Sequence, residues 1–161
     1  MHLALLLAGP ALAAPEMIPV EAMEEIGHAA TDFQVPLKDG GTFKLSAHQG
    51  RRVVVTFWAS WCGPCRAELP ALSTFAKSHK DVEFLALNVD RDRKAADTFL
   101  EKIPVDLPVA YDHDAVTMGN FSVTSMPTLF LIAADGTVAF KHVGYSTEKG
   151  FKELEAALGG M

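Results

Sequence analysis

Cysteine is scarce in this chain, with two residues in 161. A four-cysteine zinc site is therefore excluded, because no second cysteine pair exists to complete it. An excess of positive charge is also missing. Fourteen Lys and Arg stand against twenty Asp and Glu, for a net charge of −6. That balance argues against nucleic acid as a partner. No apolar run reaches the roughly 18 residues that a membrane-spanning helix needs. Internal repeats and low-complexity tracts are absent. What remains is 49% hydrophobic and long enough for one domain with a substantial core.

Both cysteines fall in Trp61-Cys62-Gly63-Pro64-Cys65. Two thiols separated by two residues can close a small disulfide ring. If Cys65 begins a helix, its N–H groups and macrodipole stabilise a thiolate on Cys62. A thiolate attacks a target disulfide, and the second thiol resolves the mixed disulfide. The flanks fit: 53–58 is a β-rich apolar run, and Leu69, Leu72, Phe75 and Ala76 follow at helical spacing. Pro64 suits a first helical turn and Pro70 should kink the helix. A stapling disulfide is the plainer alternative, but so short a loop removes little chain entropy. Half a zinc site is the other.

Residues 3–14 form a short apolar run ending in small residues, which predicts a secretory signal peptide over 1–13 with cleavage after Ala13. No Lys or Arg precedes it, so a longer native N-terminus could carry a membrane anchor instead. The run contains no cysteine for a lipid anchor. Export places the site in the periplasm for a bacterial protein, where thiols are kept oxidised. Residues 14–30, with Glu21, Glu24 and Glu25, are expected to be a linker, and 31–161 the folded domain.

Strands over 31–35 and 42–45 around Gly40-Gly41 predict a β-hairpin, with Ser46 capping a short helical turn. The pattern then predicts strand 53–58, helix 63–79, strand 82–89, and a helix carrying Ala96 and Phe99. A short strand at 109–111 and a helix over 114–121, capped by Asp112 or Asp114, come next. An antiparallel hairpin spans 128–133 and 137–143, and a final helix spans 147–158 with Thr147 as its cap. This is an α/β chain with a mixed sheet.

Over residues 31–160 the chain resembles the TlpA/ResA-like group of exported thioredoxin-fold thiol-disulfide oxidoreductases. The resemblance is carried by 57–65, Glu68-Leu69-Pro70, Ser125-Met126-Pro127-Thr128, the following hairpin, Gly144, and a helix-strand insertion over 88–124. It implies a central mixed β-sheet flanked by helices, preceded by the N-terminal hairpin. It implies a cis Met126–Pro127 bond beside the disulfide, with Ser125, Met126 and Pro127 forming a substrate-binding loop. Thioredoxin carries a buried Asp where this chain has Thr56. The exported group often places a Glu in the insertion instead. That position falls on Arg91, which makes neighbouring Asp90, or a water, the expected proton acceptor.

The resulting expectation is a periplasmic protein-disulfide reductase with no cofactor beyond the Cys62–Cys65 disulfide. Cys62 attacks and is solvent-accessible, Cys65 is more buried and resolves, and Gly63 and Pro64 tune the pair. Trp61 forms part of the substrate surface and Trp58 packs against the active-site helix. No role falls to the histidines and no metal is expected. Gly-Pro between the cysteines resembles thioredoxin, at the reducing end of the scale. The implied partners are disulfide-containing proteins, such as apocytochrome c or a metal-site assembly protein, and a membrane thiol donor; the chain is expected to be monomeric. The rivals are a general disulfide oxidant or isomerase, and a thioredoxin-fold copper chaperone. Such copper carriers place three residues between their cysteines and add a distal histidine, unlike this chain.

Overall fold

The computed structural model describes residues 26–161; the expected signal peptide and most of the expected linker lie outside them. Strands β1 (Gln34–Pro36) and β2 (Thr42–Lys44) form the expected hairpin as a separate two-stranded antiparallel sheet. The main sheet holds β3 (Arg52–Trp58), β4 (Val82–Asn88), β5 (Val109–Tyr111), β6 (Thr128–Ile132) and β7 (Val138–Val143). Its order is β5-β4-β3-β6-β7, with β3, β4 and β5 parallel and β6 and β7 antiparallel. The helices are α1 (Cys65–Lys77), α2 (Arg93–Lys102), α3 (Val116–Asn120) and α4 (Lys152–Gly159).

The central strands read as unbroken apolar runs because both faces of the sheet are covered. Alternate residues serve opposite sides. Val54, Leu129 and Leu131 join Leu72 of α1 with Leu154 and Leu158 of α4 in one buried cluster. Val53, Val55, Phe57 and Phe130 face the other way, among Phe33 and Phe43 of the hairpin region and Phe121 after α3. Phe121 is fully buried and meets Phe33, Phe57 and Phe130 at ring separations of 5.6, 5.5 and 5.1 Å. One side chain thus joins the insertion, the N-terminal hairpin and the sheet.

Several predicted boundaries move, each for a local reason. Helix α1 starts at Cys65 rather than 63, with Pro64 as its N-cap, and ends at Lys77. Pro70 lies inside it, as expected. Ser46 caps nothing: its own N–H donates to Asp32 Oδ1 at 2.8 Å, so Asp32 anchors the short 3-10 turn Leu45–His48 and β1 begins only at Gln34. Of the two candidate caps for α3, Asp112 serves, accepting from Thr117 and Met118 N–H. Thr147 does not cap α4. Gly150 adopts φ +56°, which interrupts the helical path, and α4 begins after Phe151. At the N-terminus, Gly27 and Ala30 N–H donate to Val138 and Gly136, so the last residues of the expected linker pair with the β6–β7 hairpin.

Candidate active site

Strand β3 ends at Trp58 and the chain turns through Ala59–Pro64 into α1. The turn is closed by Cys62 N–H donating to Ala59 C=O at 3.1 Å. Cys62 and Cys65 are joined by a disulfide, with their Cα atoms 5.4 Å apart. Cys65 is the first residue of α1, and its N–H points at Cys62 Sγ, 3.3 Å away. The expected placement of Cys62 against a helix N-terminus is therefore met. Its expected exposure is not: Cys62 is only 4% exposed and Cys65 0%. The closed ring packs into a core cluster to which Met126 also contributes, so the sulfurs are screened while the disulfide is intact.

Trp61, by contrast, is 70% exposed and stands beside the disulfide as an uncovered aromatic face. Trp58 is fully buried, with its ring 4.9 Å from Phe99 of α2. The Met126–Pro127 bond is cis, as the resemblance implied. The loop that carries it is tied down by Thr128 Oγ–H donating to Ser125 C=O and by Gly144 N–H donating to Pro127 C=O, both at 2.7 Å. Gly144 sits at φ +85°, a conformation that favours glycine directly after β7.

The group that residue-by-residue reading missed is Glu68. It lies three positions after Cys65, on the same face of α1, and is 1% exposed. Thr56 Oγ–H donates to its carboxylate at 3.1 Å from either oxygen. Burial pushes the Glu68 carboxyl up to about 8, against the opposing pull of the Thr56 hydroxyl. Tyr145 is also raised, by burial first and by the nearby Glu68 charge second. Both line a largely apolar pocket with Leu129, Phe140 and Phe151, which gives the buried carboxyl a route toward solvent. The available signal was a glutamate within the stripe that continues as Leu69 and Leu72.

Asp90 stands elsewhere, at the end of β4, where its carboxylate accepts hydrogen bonds from Ser60 N–H, Ser60 Oγ–H and Asn88 Nδ2–H. Among the described residues, no group of three or more His, Cys, Asp and Glu side chains could hold a metal ion. No described helix is long and apolar enough to cross a membrane.

A sequence profile of the Redoxin family matches residues 25–158. The thiol-disulfide oxidoreductase ResA of Bacillus cereus is 34% identical over 127 residues, spanning 78% of this chain and 73% of that protein. ResA of Bacillus subtilis is 33% identical, spanning 76% and 69%. Among solved structures, a Chlorobium tepidum protein assigned as the thiol:disulfide interchange protein DsbE superposes with TM-score 0.79 at 36% identity, covering 84% of this chain and 96% of that one. A secreted Mycobacterium tuberculosis disulfide oxidoreductase homologous to Escherichia coli DsbE gives 0.67 at 25% identity, covering 88% and 99%.

Proposed function

Because the chain belongs to the Redoxin family and is a ResA-like thiol-disulfide oxidoreductase, we propose that it acts in the periplasm as a reductant of protein disulfides. The observation that carries this reading is the Cys62–Cys65 disulfide at the start of α1, with the Cys65 N–H on Cys62 Sγ and the protonatable Glu68 one turn behind. The secreted Mycobacterium tuberculosis relative supports a site of action outside the cytoplasm. The disulfide is itself the redox centre.

In the loading half of the cycle, a thiolate of a membrane-held donor protein attacks Cys62 Sγ. The Cys62–Cys65 bond breaks, a donor–Cys62 disulfide forms, and Cys65 leaves as a thiolate. Glu68, protonated at neutral pH, hands its proton to Cys65. The donor's second thiol then frees Cys62 as a thiolate, and the donor leaves oxidised by two electrons. The Cys65 N–H stabilises the Cys62 thiolate. In the working half, Cys62 attacks a substrate disulfide and one substrate sulfur leaves. Cys65 gives its proton back to the Glu68 carboxylate and attacks Cys62 Sγ. The Cys62–Cys65 disulfide re-forms, and the substrate departs with both sulfurs reduced.

Gly63 and Pro64 set the helix start between the two sulfurs. Trp61 and the Ser125-Met126-Pro127 loop make the docking surface, where an extended substrate segment lies across Met126. Substrates of this kind are the disulfides of proteins such as apocytochrome c or a metal-site assembly protein, and the chain works as a monomer. The test is the reduction potential of the Cys62–Cys65 couple in defined thiol buffers. A value near about −270 mV supports a reductant supplied by a dedicated donor. A value near about −120 mV makes it an oxidant and overturns the assignment.

A further inference from the structure

We propose that Asp90 is a positioning residue, whose carboxylate clamps Ser60 and thereby holds Cys62 Sγ opposite the Cys65 N–H. This rests on Cys62 being the attacking thiol.

The clamp is geometrically complete. Asp90 Oδ2 accepts from Ser60 N–H at 2.8 Å and from Asn88 Nδ2–H at 2.8 Å, and Oδ1 accepts from Ser60 Oγ–H at 2.9 Å. The side chain is held in turn: Asp90 N–H donates to Asn88 Oδ1 at 3.0 Å. His113 Nδ1 lies 3.0 Å from the Asp90 C=O. A carbonyl only accepts, so His113 carries its proton on Nδ1 there. Asn88 pairs with Trp58 across β3 and β4, and Val89 N–H donates to Trp58 C=O. The end of β4 is therefore a rigid base, and the carboxylate reaches from it to the first free turn after β3.

Both hydrogen-bonding groups of Ser60 that can donate go to this one acid. Ser60 is two residues before Cys62 and next to Ala59, whose C=O closes the turn on Cys62 N–H. Fixing Ser60 fixes that turn, and with it the aim of Cys62 Sγ and the outward throw of Trp61. Asp90 is 5% exposed, and its carboxylate is engaged by three donors, of which Asn88 Nδ2–H also reaches the Trp58 C=O at 3.4 Å. Those bonds hold the carboxylate in place against the turn. The insertion that supplies Asp90 and His113 thus acts on the disulfide through backbone geometry.

The test compares Asp90→Ala with Asp90→Asn in the full chain. Asparagine can keep every contact, with its oxygen facing Ser60 N–H and Asn88 and its amide donating to Ser60 Oγ. In reduced Asp90→Ala, iodoacetamide alkylation of Cys62 at neutral pH is expected to slow about tenfold, with the pH midpoint moved upward, as one charge-assisted hydrogen bond is lost. The reduction potential moves to a more negative value, because the reduced form loses thiolate stabilisation. Asp90→Asn restores both. If Asp90→Ala keeps the wild-type midpoint and potential while losing only thermal stability, the role is structural and the proposal fails. If Asp90→Asn loses as much as Asp90→Ala, the charge matters rather than the placement, and the proposal also fails. Should Asp90→Ala not fold, Ser60→Ala decides: a smaller shift in the same direction supports the clamp, and an unmoved midpoint overturns it. Loss of alkylation in Cys62→Ser separately checks that Cys62 is the reactive thiol.

Discussion

Thr56 on β3 donates its hydroxyl to Glu68 on α1, at 3.1 Å from either carboxylate oxygen. The position that holds a buried acid in thioredoxin here holds only the acid's hydrogen-bond partner, and the acid itself comes from the helix that carries Cys65. A carboxyl held near 8 is matched to a thiol whose ordinary value is about 8.5, so proton exchange between them is close to balanced. Glu68→Gln keeps the shape but cannot take the proton. It should slow resolution of the Cys62 mixed disulfide by about 10²-fold at neutral pH, the usual scale for a lost acid-base group. Stopped-flow reduction of a model protein disulfide checks this; an unchanged rate removes Glu68 from the proton path.

The same burial makes stability depend on pH. In the unfolded chain Glu68 ionises near its ordinary value of 4.5, whereas in the fold it stays protonated up to about 8. Between these values the folded state binds more protons than the unfolded one. Its contribution to stability therefore falls as pH rises through that window and levels off above about 8, by a few kcal/mol in all. Urea melts of the oxidised protein from pH 4.5 to 8.5 should show that decline. Glu68→Gln should flatten it and be the more stable protein at the alkaline end.

Removing the resolving sulfur should trap the reaction halfway. Cys65→Ala leaves Cys62 to attack, but nothing to release the substrate, so a covalent mixed disulfide accumulates. Non-reducing mass spectrometry after incubation with a disulfide-containing protein should find one substrate bound per chain through Cys62. Cys62→Ala should give no adduct, and the reverse pattern would exchange the roles of the two cysteines.

Phe121 joins three parts of the fold through ring contacts to Phe33, Phe57 and Phe130. Phe121→Ala empties a fully buried site and should cost about 3–5 kcal/mol. Denaturant titration measures that loss. The Cys62–Cys65 potential of the surviving folded fraction is the second readout, because Phe121 shares one buried cluster with both cysteines and Leu69 of α1. A shifted potential would mean that the insertion's packing reaches the disulfide by a second route.

The cis-proline loop was implied only by the resemblance to the TlpA/ResA-like group, whereas the chain's local sequence determined the β3–α1 junction, the pair of sulfurs across it and the hairpin turns. Each of these depends on neighbours a few residues apart: a β-rich run that stops, a proline at a helix start, a glycine where φ is positive. Helix α4 was misplaced because Gly150 interrupts a stretch whose apolar spacing alone looks helical from Thr147. Only the tertiary structure decided which acids meet the active site. Glu68 and Thr56 are 12 residues apart, and Asp90 and Ser60 are 30 apart. Both pairs form because β3 and β4 lie side by side in register with α1 folded back across the sheet. Burial then does what no spacing rule reveals: it leaves one carboxyl with a single hydroxyl partner, able to hold a proton at neutral pH, and surrounds the other with donors that fix it in place.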